Sequence, residues 1–329
     1  MRKLRKYTVR NAFKGFLPKR SDFETVEEQI PTLQNGEFLI KTEYISVDPY
    51  MRSFANGRRT PYDQFGFQVG KVIESKNSEY PTGVYVVSHS GWRDFAVLNG
   101  EPDDMFNMKP YQPPIGDLPI SISLGALGMP GMTAYLGLLE ICKPKRNNII
   151  CVTSAAGAVG LLVGQIARLK GCTVIGFTGS DEKVHILKQE YGFHHVFNYK
   201  STTNIRDTLK LIAPSGINCF FDNVGGELSA AIMDCMQENG QVAICGSISN
   251  YGDSSSHHIK QKYHYKIEAF SFTQWEWSEQ SHALTQLKIW IDKGDIKVKE
   301  TVTDGFEKLP HAFVGMLKGE NVGKAVVKI

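Results

Sequence analysis

From Ile149 to Cys245 the chain repeats one rhythm, a short apolar run followed by a helical pattern. The apolar runs are "IICVT", "TVIGFT", "HVFNY", "INCFFD" and "QVAIC", and the helical stretches between them reach Lys170, Tyr191, Ile212 and Met236. Strands alternating with helices of about ten to fifteen residues form right-handed βαβ units, so this half specifies a parallel, doubly wound α/β sheet. A further strand, "KIEAFSF", and a helix from about Ser278 to Lys293 complete it.

Ahead of this rhythm, from Tyr7 to about Leu98, the pattern is β-rich. In "EFLIKTEYISV" the residues Phe38, Ile40, Thr42 and Tyr44 alternate onto one face, and "GVYVVSHSGWRDFAVL" reads as two short strands around Ser90-Gly91. The tail from Val298 returns to strand, helix, strand; too short for a domain of its own, it is expected to pack back onto the first. A chain of 329 residues is comfortable for two domains. The expected organisation is a β-rich domain over 1–124 and 297–329 and a nucleotide-binding domain over 125–296.

Charge narrows the partners. With 37 basic and 34 acidic residues spread along the chain, no concentrated basic face is available for nucleic acid. The opening "MRKLRK" reads as a solvated lead-in to the first strand. The first twenty residues lack the apolar core of a signal peptide, which gives a cytoplasmic expectation. The uncharged stretch after Asp117 is broken by Gly125, Gly128, Pro130, Gly131 and Gly137, so it reads as a loop and a helix starting near Thr133, with no membrane span. Six cysteines without C-x-x-C spacing read as free, mostly buried thiols.

The stretch "TSAAGAVG" (153 to 160) lies where the first strand passes into the first helix. A dinucleotide turn uses one glycine for the tight bend, a second for close approach to the pyrophosphate and a third for helix packing. Here Gly157 and Gly160 supply the last two, and Ala155 stands in the first slot. Packing alone also produces such turns; the place at the head of a βα series, with helix amides facing out, favours a phosphate. The second strand ends in Gly179 and Ser180 without the carboxylate that an NAD site places against the ribose, while Asp181 and Glu182 are explained by the helix start. Lys183 is either a solvated helix residue or a point charge for a 2′-phosphate, and NADP is preferred. "FDNVGGE" and "CGSISNY" bring small residues to two further strand ends, either as plain turns or as the approach to ribose and nicotinamide.

A β-rich domain, a nucleotide-binding domain and a returning tail resemble the medium-chain dehydrogenase/reductase superfamily, which implies a Rossmann doubly wound parallel sheet plus a GroES-like catalytic domain. Alcohol dehydrogenases of that group use a catalytic zinc with a first-domain cysteine ligand. This chain has no cysteine before Cys142 and only His89 among its earlier histidine positions, so no metal site is expected. Hydride addition to an electron-poor C=C bond needs only a donor for the developing enolate oxygen, which points to an enone reductase.

"SVDPYMR", "GMPGMTAYLGLLEIC", "AAGAVG", "GSDEK", "FNYK", "FDNVGGE", "AICGSIS" and "GMLKGENVGK", in this order through the whole chain, closely resemble the prostaglandin reductases, the zinc-independent family of leukotriene 12-hydroxydehydrogenases and NADPH-dependent alkenal/one oxidoreductases. The resemblance implies that Ala156, Gly157, Ala158, Val159 and Gly160 hold the pyrophosphate of NADPH, Lys183 and Tyr199 its 2′-phosphate, and Asn223 the ribose region. It implies further that Cys245, Gly246, Ser247, Ile248, Ser249, Asn250 and Tyr251 line the nicotinamide side, that Phe270, Ser271 and Phe272 contact the cofactor, and that Asn321 closes the site. Tyr50 is implied to face the substrate, a 15-oxo-prostaglandin or reactive alkenal; without the resemblance it reads as a packed turn aromatic. Tyr251 is the candidate for ordering the ribose hydroxyl that bonds the enolate. A homodimer joined through the Rossmann domains is also implied.

One region departs from the family. Its members carry a proline-rich loop where this chain has the polar "GDSSSHHIKQKYHYK" (252 to 266), so the lipid substrate does not transfer directly. His257-His258 reads as a solvated pair or a metal site, the former preferred. A quinone reductase of the same superfamily and a non-catalytic NADPH-binding protein stay open as alternatives.

Overall fold

The structure, a computed structural model, describes residues 2–250 and 265–329, with the backbone alone at Asn250. It divides into two units, Met1–Gly128 with Glu300–Ile329 and Met129–Lys299.

In the first unit, β1 (Lys3–Val9) pairs antiparallel with β2 (Phe23–Gln29), and β3 (Phe38–Ser46) is the spine of a second sheet. The short helix α1 (Tyr50–Ser53) follows β3, and β4 (Tyr62–Asp63) pairs with the other edge of β1. Antiparallel β5 (Gln68–Ser75) runs along β3, with β6 (Tyr85–Ser88) beyond it. On the opposite side of β3, β7 (Phe95–Leu98) pairs with Phe38 to Lys41, and the tail strand β15 (Lys324–Lys328) pairs with Tyr44 to Ser46. The alternation read from sequence is overridden here. Bulges at Leu39/Ile40 and Thr42/Tyr44 shift the register, so Leu39 and Ile45 are buried and Tyr44 is half-exposed. Phe38, Ile40, Val72, Tyr80, Val86 and Ala96 form one apolar core.

The second unit opens with α2 (Met129–Leu136), four residues ahead of the expected start, with a proline tolerated in its first turn. It continues as a π-helical segment, Gly137–Cys142, which Lys143 ends in a left-handed conformation. A parallel sheet follows. Its strands in chain order are β8 (Ile149–Val152), β9 (Thr173–Thr178), β10 (His195–Asn198), β11 (Ile217–Asp222), β12 (Met236–Ile244) and β13 (Lys266–Ala269). They lie in the order β10-β9-β8-β11-β12-β13 and all neighbours are parallel. The connecting helices are α3 (Ala158–Leu169), α4 (Asp181–Gln189), α5 (Ile205–Ile212) and α6 (Gly226–Met233), and α7 (Trp277–Asp292) follows β13. The tail helix α8 (Leu309–Leu317) joins β14 (Glu300–Asp304), the parallel partner of β15, back to the first unit's sheet.

One boundary differs from the sequence reading. Helix α6 stops at Met233 and β12 begins at Met236, five residues before "QVAIC". The strand starts early because Met236 already pairs with Ile217, and it bends at Asn239, which is left-handed, and at Gly240, where an added methyl would lie 2.8 Å from Met236 Cε. Phe177, Phe220, Ile175, Leu209, Ile217 and Val242 lie in the core of this unit, and burying each such side chain contributes roughly 1.5–3 kcal/mol. All six cysteines are free thiols, five of them buried. Among the described residues no helix is long and apolar enough to cross a membrane.

Candidate functional site

Chain order turns around between β8 and β11, so the sheet has a topological switch point, and at such a point the carboxyl ends of the strands open a crevice. The first wall is the turn from β8 into α3. Ser154 takes the left-handed conformation, φ 50°, and thereby makes the bend that a glycine in the Ala155 slot ordinarily makes. Ala155 is fully buried, and it fits because the next strand carries Gly176 opposite: a methyl added there would meet Ala155 Cβ at 2.9 Å. Gly160 is required by packing, since an added methyl would stand 2.3 Å from the Ser154 carbonyl oxygen. Gly157 caps α3 in an extended conformation. Helix geometry leaves the amides of Ala158, Val159 and Gly160 without intrahelical acceptors, so the turn presents donors and the positive end of the helix dipole together.

The second wall lies past β9. Ser180 caps α4 by accepting from the Lys183 amide at 3.4 Å, which puts Lys183 in the first helical turn. Tyr199 follows β10, its amide bonded to the Thr178 carbonyl at 3.0 Å. A methyl added at Gly179 would lie 3.4 Å from the Tyr199 hydroxyl and 3.5 Å from Lys200 Cε, so both side chains close over that glycine. Burial first, and the positive Lys200 second, hold the Lys183 ammonium below its usual value, with Glu182 acting against them. Two cations and a phenol thus gather past the end of the second strand. Lys200 was missed in the sequence, although it stands next to Tyr199 in "FNYK".

The switch point itself is pinned by Asp222, which the sequence reading also passed over. Its buried carboxylate accepts from Thr153 Oγ1 at 2.9 Å and from the amides of Val224 and Gly225 at 3.0 and 3.1 Å, all on Oδ1. Asn223 donates from Nδ2 to the Thr153 carbonyl at 2.8 Å, tying the loop after β11 to the cradle after β8. The Asp222 carbonyl accepts from the amides of Cys245 and Gly246, and the Val224 carbonyl from the Ser249 amide, which stacks Cys245, Gly246, Ser247, Ile248 and Ser249 on the same loop. Burial, then the Asp222 charge, pushes the Cys245 thiol up to about 12, so it is no nucleophile at neutral pH. Phe270 follows β13 with its amide on the Ile244 carbonyl; Phe272 is buried and Ser271 exposed. The Asn250 side chain, Tyr251 and His257-His258 lie outside the described residues.

The remaining expected residues belong to the first unit. Tyr50 opens α1, and its hydroxyl is 3.0 Å from His89 Nε2. His89 Nδ1 is in turn 3.3 Å from Asp103 Oδ1. Phe67 and Phe106 pack their rings on His89 at 4.8 and 4.9 Å. Burial first, then the charges of Asp48 and Asp103, hold the Tyr50 phenol well above its usual range, so it is a neutral hydroxyl. The segment bearing Tyr50 is anchored by the buried pair Lys324 and Asp48, 2.6 Å apart. Asn321 donates to the Gly323 carbonyl at 2.7 Å. Among the described residues no group of three or more His, Cys, Asp or Glu side chains is placed to hold a metal ion.

These residues fit a dinucleotide phosphate: the turn from β8 into α3 presents helix-end amides, and Lys183 and Lys200 stand beyond the second strand. The family model for the N-terminal domain of oxidoreductases matches residues 5–105, and that described as zinc-binding dehydrogenase matches residues 158–284. The chain is 44% identical to prostaglandin reductase 1 of Rattus norvegicus, over 98% of each chain. It is 35% identical to the NADP(+)-dependent 2-alkenal reductase of Nicotiana tabacum, over 98% of this chain and 96% of that one. Among solved structures, CurA from Vibrio vulnificus in complex with NADPH superposes with a TM-score of 0.87 at 31% identity, over 98% of both chains. The chain belongs to the prostaglandin reductase family of the medium-chain dehydrogenase/reductase superfamily.

Proposed function

We propose that this chain is an NADPH-dependent reductase of the C=C bond of α,β-unsaturated ketones and aldehydes, with 15-oxo-prostaglandins and lipid-derived 2-alkenals as its substrates. The observation that carries the cofactor choice is the closing of Tyr199 and Lys200 over Gly179, with Lys183 near enough to Lys200 for their charges to interact. The substrate class follows the relatives, which include reductases named for prostaglandins and 2-alkenals.

Ala156 to Gly160 hold the pyrophosphate, the two lysines and Tyr199 the 2′-phosphate, and Asn223 with Cys245 to Ser249 the ribose and nicotinamide side; Asn250, Tyr251, Phe270 to Phe272 and Asn321 complete the binding set. NADPH, when bound, supplies the hydride. Tyr50 offers the substrate carbonyl oxygen a hydrogen bond as negative charge develops on it. Tyr251 remains our candidate for ordering the hydroxyl that shares this task. No side chain is assigned the final proton, which comes from solvent.

The protein works as a cytoplasmic homodimer in this reading. The four residues of β13, the last strand on its side of the sheet among the described residues, are all exposed, including Ile267, which supports pairing of that edge across a two-fold axis. Product analysis tests the reaction. Incubation with NADPH and 15-oxo-prostaglandin is expected to yield the saturated ketone; an allylic alcohol, from attack on the carbonyl, would refute it.

A further inference from the structure

Tyr50, His89 and Asp103 form a hydrogen-bonded line inside the first unit, of which the roles above use only Tyr50. The oxygen of Tyr50 meets His89 Nε2 at 3.0 Å, and His89 Nδ1 meets Asp103 Oδ1 at 3.3 Å. A carboxylate only accepts, so Nδ1 carries hydrogen, and the neutral ring has a lone pair on Nε2. In that state Tyr50 donates to His89 and its hydrogen is taken. Protonation of the ring puts hydrogen on Nε2, reverses the bond and frees the phenol hydrogen for another acceptor.

We propose that His89, oriented by Asp103, is a positioning residue whose protonation turns Tyr50 from a donor to His89 into an acceptor from it, freeing the phenol hydrogen for the substrate, and that the imidazolium form is the one in which Tyr50 stabilises the enolate oxygen. The proposal rests on the reductase reading above. The surroundings suit it. His89 is 4% exposed at its side chain, enclosed by the rings of Phe65, Phe67 and Phe106, so Asp103 and Tyr50 are the polar groups that meet it. Asp48 is the other charge acting on Tyr50.

Asp103 is itself fixed. Its Oδ1 accepts from the amides of Met105 and Phe106 at 2.9 and 2.8 Å, and Oδ2 from Met108 at 3.2 Å, so the loop that carries the carboxylate also carries the ring that covers His89. The Tyr50 phenol cannot serve as a resident phenolate, because burial and two carboxylates oppose its ionisation. Its usefulness to a developing oxyanion therefore depends on where its hydrogen points, and His89 decides that.

The test is the pH profile of kcat for enone reduction in the full-length protein, alongside ¹⁵N NMR of the His89 ring. Wild type is expected to lose rate as pH rises through the His89 titration seen by NMR. His89→Phe, which keeps a ring among the aromatics and leaves nothing to take the Tyr50 hydrogen, is expected to lack that limb and to hold its rate as pH rises, with KM and NADPH affinity little changed. His89→Gln, whose amide does not titrate in this range, is likewise expected to give a flat profile. Asp103→Asn keeps an acceptor for Nδ1 but lets the amide present nitrogen instead, so it is expected to lower kcat while NADPH affinity holds. An active wild type whose limb persists in His89→Phe overturns the role of His89 alone. A wild type that binds NADPH and turns over no enone at any pH overturns the reductase reading and this role with it.

Discussion

Lys324 Nζ lies 2.6 Å from Asp48 Oδ1 and 3.0 Å from the Val47 carbonyl, with both charged side chains all but removed from solvent. Ser46 Oγ donates to the other oxygen of Asp48. A strand at the end of the chain thereby fixes the turn that leads into Tyr50. Removing one partner leaves a buried uncompensated charge, so Lys324→Met is expected to destabilise the protein by about 3–5 kcal/mol in denaturant unfolding. The double change Lys324→Met with Asp48→Leu should recover most of that loss; equal damage in single and double variants would contradict the pairing.

Asp222 organises the nucleotide crevice from below. It joins the cradle strand to the next loop through one oxygen, which accepts from Thr153, Val224 and Gly225. Asp222→Ala strands these donors and is expected to weaken NADPH binding at least tenfold, about 1.4 kcal/mol, and to lower thermal stability. Asp222→Asn retains an acceptor oxygen and should be milder in calorimetric titration.

Lys200 is expected to contribute to cofactor choice as much as Lys183. Each single alanine variant should raise Kd for NADPH about tenfold and leave Kd for NADH unchanged, with the difference shrinking at high salt. A Lys200→Ala protein with wild-type preference for NADPH over NADH would remove that residue from the site.

The Asp103 carboxyl sits below its usual value of 3.8: burial alone would raise it, and the His89 contact with the Phe106 and Met105 amides outweighs burial. A depressed folded value adds stability that is complete above the unfolded value and disappears as pH falls through the folded one. The difference in unfolding free energy between wild type and Asp103→Asn should therefore narrow below about pH 4 in urea melts. A gap that stays constant from neutral pH to pH 3 would contradict this.

The Rossmann half was legible because each strand is a continuous apolar run and each crossover a helix, a contrast of period that survives in a single sequence. Its failures are local. The end of α6 was misread because Met236 is apolar enough for either element, and pairing with Ile217 decided it. The face of β3 was misread because two bulges alter which side chains point inward, which no alternation records. At the site, the glycine cradle and Lys183 were visible as motif and offset, whereas Lys200 needed the fold to bring β9 and β10 together. The line Tyr50, His89, Asp103 had no signal, since its members are separated by 39 and 14 residues and meet through strand pairing and a loop.

The most direct test is steady-state oxidation of NADPH by the purified protein with 15-oxo-prostaglandin, a short 2-alkenal and a quinone side by side, repeated with NADH. Turnover of both enones with NADPH, well above that with NADH or with the quinone, is the predicted result. Turnover confined to the quinone, or no turnover while NADPH still binds, would contradict the account.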